Sequence, residues 1–298
     1  MNRRTAAVMA GQGLFLGSAF SVSGCGSQKD SSGLVVRLRS GSSELILIPT
    51  LHALPQQLRI PTLVTESLLC SKLVLFEVDL TDNSLSALRR ACLASLVERT
   101  PRVAIADRQR EKLRRFKADT KGPALTDDNA IPEFWSIVAA ASVKQSGGER
   151  IEYGIDAQLI QHAKALGIQI EFLESSCDAA EAQARVMAKR LDVHLLDEMI
   201  DSLESSHAAA HYKALMASWI EGRAELADAA YATLKAKAPL QYGLHQATVV
   251  ERDKLLLGRI KNHLIKNDTV AVAIGMDHIL MPCGLSTVLV DEGWKPIA

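Results

Sequence analysis

Short apolar runs alternate with longer segments of helical periodicity along most of the chain. Leu73–Val78 is continuously apolar apart from one glutamate, which is typical of a strand buried on both faces of a sheet. Ile168–Leu173 and Thr269–Ile274 predict two further strands. Between the first two strands, Ile155–Leu166 carries apolar residues at helical spacing and is followed by Gly167, which favours a helix ending there.

The remaining pattern adds a hairpin near the start and a long helical region in the second half. Leu34–Leu38 and Glu44–Ile48 predict two strands joined by the turn sequence SGSS. Asp178 to about Ala236 is helical, with breaks near Ser205-Ser206 and Gly222. Other predicted elements are the helices Pro61–Cys70, Ser84–Glu98, Thr248–Lys266 and Leu285–Glu292, interrupted helices over 101–148 and a last strand at Trp294–Ile297.

These elements predict the fold class. Strands that alternate with helices favour an α/β fold, in which a central mixed sheet is flanked by helices. The helical region inserted in the second half, about residues 178–245, is expected to form a cap. We assign residues 34–298 to one α/β domain, a length that supports a single large core.

Residues 1–24 have the pattern of a lipoprotein signal peptide. Arg3 and Arg4 supply a positive start. Residues 6–22 are uncharged but too interrupted by glycine for a spanning helix, which needs about 20 strongly apolar residues. The exit Val22-Ser23-Gly24-Cys25 resembles the bacterial lipobox, in which the cysteine is acylated and becomes the new N-terminus. An ordinary signal peptide with an incidental cysteine is the alternative.

The segment after the signal predicts how the domain is attached. Residues 25–33 combine the lipidated Cys25 with a polar, Gly/Ser-rich tether. Residue 26 is Gly rather than Asp, which by resemblance to lipoprotein sorting favours the outer membrane. We therefore expect a protein of the bacterial cell envelope, bound to the outer membrane by its lipid and facing the periplasm.

Composition excludes two classes of function. The 34 basic and 34 acidic residues cancel, whereas nucleic-acid-binding proteins carry a basic surplus, so no nucleic-acid partner is expected. The four cysteines after Cys25 form no CxxC pair, which argues against a thiolate zinc site. An oxidising periplasm permits disulfides, and their pairing stays open among Cys70, Cys92, Cys177 and Cys283.

Two strand ends carry the residues with catalytic chemistry. One strand runs through Pro49-Thr50 to His52, and another runs through Gly275 to His278. Both histidines therefore follow the carboxyl end of a strand, where open α/β sheets bind ligands. Glu77 ends the buried apolar strand, where a carboxylate is costly without a partner. Together they predict a metal or acid–base site; separately, each histidine also fits a structural hydrogen bond and the glutamate a salt bridge.

Two other motifs have simpler interpretations. His207 and His211 have the i, i+4 spacing of zinc-binding helices but lack the glutamate that follows the first histidine in zincins, so both are assigned to a helix surface. Ser175-Ser176-Cys177-Asp178 has no GxSxG-like surroundings, and an N-cap by one of the serines explains it.

Five segments in order resemble the TraB/GumN family, whose members include the Tiki-type metal-dependent proteases. They span about residues 33 to 297 and read ELILIPTLHALP, LVLFEVDL, GIDAQLIQHAKALGIQIEFLES, VVERDKLLLGRI and TVAVAIGMDHILMPCGLSTVLVDEGWKP. The family pattern has two GxxH motifs, a Glu at the end of a buried strand and an Arg in a late helix.

The resemblance implies metal-assisted hydrolysis, of a peptide bond in the Tiki branch. Carried over, His52 and His278 ligate a divalent ion, with Thr50 and Gly275 supporting the two motifs. Glu77 is a third ligand or the general base, and Arg252 stabilises the developing oxyanion. The expected substrate is a peptide or small molecule.

Two departures from the family pattern keep rival functions open. Pro49 replaces the usual glycine and lacks an amide hydrogen, so a backbone contact is lost there. Asp253 replaces the usual asparagine and is expected to neutralise Arg252. The rivals are a ligand- or haem-binding envelope lipoprotein without catalysis and an interaction protein with a decayed site.

The lipobox generates the first testable prediction. Cys25→Ala removes the thiol that is acylated, so palmitate labelling should be lost and the protein should leave the membrane fraction. Metabolic labelling and fractionation beside the unchanged chain measure both effects. Unchanged labelling of the variant would refute the lipid anchor.

Overall fold

The computed structural model describes residues 35–79, 92, 107–118 and 150–297. Contacts divide the chain into a unit of residues 1–30 and a unit of residues 31–298, and all described residues belong to the second. The predicted signal peptide, Cys25 and the tether lie outside the described residues. So do the predicted helix Ser84–Glu98 apart from Cys92 and the interrupted helices over 101–148 apart from residues 107–118.

The strands are β1 (Val36–Ser40), β2 (Ser43–Thr50), β3 (Leu73–Phe76), β4 (Gln169–Phe172), β5 (Thr269–Gly275) and β6 (Lys295–Pro296). The helices are α1 (Thr62–Leu69), α2 (Asp107–Ala118), α3 (Ile155–Ala165), α4 (Ser176–Arg190), α5 (Val193–Glu204), α6 (His207–Glu221), α7 (Ala224–Lys237), α8 (Pro239–Leu264), α9 (Met276–Leu280) and α10 (Leu285–Asp291). A single 3-10 turn, Ile151–Tyr153, precedes α3.

The described strands form one mixed sheet of six, in the order β4-β3-β5-β2-β1-β6. The four strands from β4 to β2 are parallel, and β1 and β6 continue the sheet in antiparallel pairing. Gly41 has a φ of +59° in the two-residue turn between β1 and β2, a conformation that glycine supplies at little cost. The predicted hairpin and mixed sheet are confirmed.

Alternate side chains of the central strands enter two hydrophobic layers. Ile46 and Ile48 of β2 pack on one face of the sheet beneath α1, α3, α6 and α7. Leu45 and Leu47 pack on the other face against α8 and α10. This alternation follows from the two-residue period of a strand, and it buries the sheet between helices as the sequence pattern predicts.

The predicted helical cap corresponds to α4–α7 and the first turns of α8. Ser206 and Gly222 take left-handed backbone conformations at two of its breaks, which agree with the breaks predicted from sequence. Helix α8 begins at Pro239, so its predicted start at Thr248 was wrong. Proline fits the first turn of a helix because the amide hydrogen it lacks would have no partner there. Gly243, the only glycine in the first two turns of α8, does not interrupt the helix.

The helical hairpin α6–α7 is hydrogen-bonded to residues at and just after the ends of β2 and β5. Trp219 of α6 donates through Nε1 to the carbonyl oxygen of Pro49 at 3.0 Å. The Tyr212 hydroxyl donates to the carbonyl oxygen of Ala53. Tyr231 of α7 donates to Asp277 Oδ1 at 2.7 Å. These bonds join the hairpin to the end of β2 and to the residues that follow β2 and β5.

Cys92 and Cys177 form a disulfide with Cα atoms 5.5 Å apart, and Cys70 and Cys283 are free thiols. The Cys92–Cys177 bond is one of the disulfide pairings that the sequence leaves open. Among the helices in the described ranges, none combines the length and apolar character that crossing a membrane requires.

Removing a core side chain from β2 tests the two-layer packing. Ile46 is fully buried, so Ile46→Ala should lower the free energy of unfolding by about 2–5 kcal/mol in urea titrations. Ile265→Ala is the matched control: this side chain is 82% exposed, and its loss should cost at most about 0.5 kcal/mol. Equal effects in the two variants would contradict the assignment of Ile46 to the core.

Candidate functional site

The candidate site lies where three parallel strands end together. In the sheet register Thr50 of β2 pairs with Gly275 of β5, and Phe76 of β3 pairs with Ala273 of β5. Each strand therefore delivers its next residues to the same edge of the sheet, the usual ligand edge of parallel α/β sheets. His52, Glu77 and His278 all follow these strand ends.

Glu77 is the centre of the site and its side chain is 1% exposed. Its Oε2 accepts a hydrogen bond from the Gly275 amide at 2.7 Å. Its Oε1 lies 3.5 Å from His52 Nε2 and 4.0 Å from His278 Nε2. The two histidines therefore lie beside one carboxylate at the sheet edge.

The His52 ring is oriented by a buried aspartate. Its Nδ1 lies 3.0 Å from Oδ2 of Asp156, a residue in the first turn of α3. Thr50 donates its hydroxyl to the other oxygen of Asp156 at 2.7 Å. Thr50 thus supports the first histidine indirectly, by fixing the carboxylate that holds the imidazole.

A close backbone contact brings α3 to this position. Gly154, immediately before α3, packs on the backbone of His52, and a Cβ there would lie 2.3 Å from the His52 carbonyl oxygen. No real Cβ approaches an oxygen so closely, so glycine is required for α3 to begin beside the first histidine.

The second histidine has the same kind of partner. His278 Nδ1 lies 2.5 Å from Oδ1 of Asp253, which α8 contributes, and both side chains are buried. A carboxylate on Nδ1 fixes the ring and favours a proton on that nitrogen. Both histidines therefore direct Nε2 towards Glu77.

Arg252 enters the site from α8 and contacts two carboxylates. Its Nη2 donates to Oε1 of Glu77 and to Oε1 of Glu174, and its Nε lies 3.4 Å from Oε2 of Glu174. The expectation that Asp253 neutralises Arg252 was wrong. Adjacent residues of a helix do not face each other, so Asp253 turns to His278 while Arg252 turns to the glutamates.

These contacts set the charges of the site. Burial opposes ionisation of Glu77, but the Arg252 guanidinium and the two histidines outweigh it and hold the pKa of Glu77 well below its ordinary value. Burial likewise opposes a charged His52, but Asp156 and Glu77 raise its pKa well above the usual range. Water screens part of this attraction because 43% of the His52 side chain is exposed.

Gly275 packs against Glu77 and both histidines. A Cβ at this position would lie 3.1 Å from Glu77 Oε2, 3.6 Å from His52 Nε2 and 3.7 Å from His278 Cδ2. The missing side chain leaves the space that the three functional groups share. Glycine here is explained by close approach, since its φ of −49° is open to any residue.

Pro49 sits where β2 can accept a residue without an amide hydrogen. The β1 strand pairs with β2 only as far as Leu47, so Pro49 lies beyond the end of that ladder. Its carbonyl oxygen accepts the Trp219 bond instead. The departure from glycine therefore leaves the path of the chain to His52 intact.

The donor atoms are of the kinds that bind a divalent ion, and two of the distances between them are near those of a metal site. Two imidazole nitrogens and a carboxylate oxygen are the ligand types of hydrolytic zinc sites, where two ligands each about 2.1 Å from a tetrahedral ion are about 3.4 Å apart. The distances of 3.5 and 4.0 Å from Glu77 Oε1 to the histidines are close to this value. As the described residues stand, however, no group of three His, Cys, Asp or Glu side chains is in position to hold a metal.

The other predicted motifs lie elsewhere. His207 is exposed and contacts Ser205, as a helix-surface residue should. The same assignment was wrong for His211: its Nδ1 lies 3.3 Å from the Ala230 carbonyl oxygen, and burial lowers its pKa. Helix α7 packs over that face of α6, which the sequence spacing alone does not show. Ser175 caps α4 in a capping box with Asp178, so the predicted N-cap is confirmed.

The sequence matches the model of the TraB/PrgY/gumN family over residues 34–297. The chain belongs to this family. Searches for similar curated proteins and for similar solved structures find no match. The family match covers every element of the site.

Sequence reasoning missed two carboxylates that belong to the candidate site of this family member. Asp156 lies in the segment GIDAQL, which marks a helix start but gives no sign of the strand end it faces. Glu174 follows β4 and is 4% exposed. Both residues could have been found in the sequence as carboxylates beside apolar residues, because a buried carboxylate requires a polar partner.

The depressed pKa of Glu77 predicts an acid-sensitive fold. Its charged form is stabilised in the folded state, so this stability is present above its ordinary pKa of 4.5 and is lost as the pH falls through the folded value. Urea unfolding between pH 7 and 3 should show this slope, and Glu77→Gln should flatten it. Glu66→Gln, at an exposed position of α1, should keep the slope of the unchanged chain. Equal slopes in all three proteins would contradict a buried, charged Glu77.

Proposed function

We propose that this protein is a metal-dependent hydrolase of the bacterial cell envelope that cleaves peptide bonds. The observation that carries the proposal is the pairing of two histidines with one buried carboxylate. His52 and His278 turn Nε2 towards Glu77 Oε1, and each has an aspartate on Nδ1. This is the arrangement by which proteins orient metal-ligating histidines.

His52 Nε2, His278 Nε2 and Glu77 Oε1 would hold the ion. A divalent ion bound there supplies Lewis acidity, which lowers the pKa of water and polarises a carbonyl group. Asp156 and Asp253 keep the imidazoles in the tautomer that ligation needs. Asp156 also raises the pKa of His52, since it stabilises positive charge on that ring.

Glu77 and Arg252 contribute charge of opposite sign. Because Gly275 holds Oε2 of Glu77, the carboxylate is fixed with Oε1 towards the histidines, as a ligand or as a base that takes a proton from water. Arg252 brings a guanidinium to the same carboxylate from α8. Positive charge at this position would stabilise an oxyanion that develops beside Glu77.

A substrate would approach from the side of His52. The side chains of Glu77 and His278 are 1% and 3% exposed, whereas that of His52 is 43% exposed. Water and a peptide carbonyl therefore have access to the site past the first histidine. The choice of a peptide substrate is supported by the resemblance to the Tiki branch.

Neither departure from the family pattern disrupts the site, which weakens the case for a decayed site. Pro49 lies beyond the β1–β2 ladder, where no amide hydrogen is needed on that side, and Asp253 binds His278. The placement in the envelope is supported by the signal-like residues 1–24 and by the Val22–Cys25 sequence.

Metal binding and cleavage should be lost together in His278→Ala. This substitution removes one ligating nitrogen, so the purified full chain should hold no stoichiometric divalent ion and should cleave no member of a peptide library. Glu77→Gln separates two roles: a base gives metal retention with a rate lowered about 10²–10⁴-fold, and a ligand gives weaker metal binding. Metal analysis and cleavage with and without a chelator measure both.

His207→Ala is the control, because this exposed histidine lies outside the site. It should keep metal and activity. Cleavage that resists both chelator and His278→Ala would rule out the metal mechanism. A Soret band in the purified protein, or absence of cleavage with any metal, would instead favour the haem- or ligand-binding alternative.

A further inference from the structure

Arg252 divides its hydrogen bonds unequally between two glutamates. Glu174 receives two of them, Nη2 on Oε1 and Nε at 3.4 Å from Oε2, whereas Glu77 receives only Nη2 on Oε1. A guanidinium that donates through two nitrogens to one carboxylate is held more firmly than one that donates through a single nitrogen. Arg252 thus has two hydrogen bonds to Glu174 and one to Glu77.

Arg252 and a metal ion require the same oxygen. Oε2 of Glu77 is occupied by the Gly275 amide, and Oε1 is the atom that faces both histidines. Arg252 donates to this Oε1. A cation between the histidines would therefore compete with the guanidinium for one oxygen and would also be repelled by its charge.

We propose that Glu174 is a positioning residue that draws Arg252 off Glu77 when a divalent cation binds, so that Glu77 becomes free to join His52 and His278. This inference rests on the proposed metal-dependent function. It assigns a role to a carboxylate that the mechanism above does not use.

The surroundings of Glu174 suit it for this role. Its backbone amide donates to the Glu77 carbonyl oxygen at 2.9 Å, which continues the pairing of β3 with β4 and fixes the two residues side by side. The capping box of α4 begins at the next residue and fixes the turn. The Arg252 side chain is only 16% exposed. If it lost both glutamates as partners, its guanidinium would have to move out into water. Moving fully onto Glu174 keeps its charge paired.

The proposal predicts opposite effects at the two residues. Arg252→Gln removes the competitor and should tighten Zn²⁺ binding about tenfold or more, the size expected for a charged hydrogen bond. Glu174→Gln leaves Arg252 to Glu77 alone and should weaken Zn²⁺ binding by a similar factor.

The double variant separates this role from simple attraction between charges. If Glu174 acts through Arg252, then Glu174→Gln should change the Zn²⁺ affinity little once Arg252 is already Gln. If Glu174 acts only as a nearby negative charge, Glu174→Gln should weaken Zn²⁺ binding equally whether residue 252 is Arg or Gln. That result would overturn the proposal.

The experiment is a Zn²⁺ titration of the metal-stripped full chain against a chromophoric chelator, with folding checked by circular dichroism. Lys254→Gln and Glu171→Gln are matched controls. Lys254 lies on the exposed face of α8 and pairs with Glu251, and Glu171 lies in β4 near His263, so neither should change the affinity by more than about twofold.

A crystal structure of the Zn²⁺-loaded chain gives a second test that needs no variant. Arg252 should contact Glu174 and no longer Glu77; an intact Arg252–Glu77 contact beside bound zinc overturns the proposal. If the unchanged chain and all variants bind no Zn²⁺, the proposed function fails together with this inference. If the unchanged chain binds Zn²⁺ and Arg252→Gln binds it no more tightly, only this inference fails.

Discussion

The site depends on one buried carboxylate. Taking the charge of Glu77 out of water costs several kcal/mol unless other groups replace the lost hydration. A backbone amide, a guanidinium and two imidazoles surround it, and they come from β5, α8 and the two strand ends. The requirement to stabilise this charge thus explains why elements distant in sequence meet at one edge of the sheet.

Much of the fold follows from local pattern, because strands buried on both faces and helices ended by glycine have recognisable sequences. β3 and β5 are continuous apolar runs, and Gly222 marks a break that the structure retains. His52 and His278 could be identified because both follow such strands. The boundary at Pro239 was missed because a proline can open a helix as well as interrupt one.

The partners of the histidines could not be predicted in the same way. Whether Asp156 faces His52 depends on how α3 packs over the end of β2, which is a property of tertiary structure. Glu174 is likewise defined by the pairing of β4 with β3. Asp253 was within reach of sequence reasoning, since its position next to Arg252 on one helix already turns the two side chains in different directions.

The bonds from the α6–α7 hairpin give the cap a mechanical role. Tyr212 holds the residue after His52, and Tyr231 holds the residue before His278. Both tyrosines belong to helices that pack directly on each other, so the hairpin acts as a spacer between the two histidine turns. A change in the packing of these helices would therefore alter the distance between the two imidazoles, so the sequence of the cap helps to set the geometry at the sheet edge.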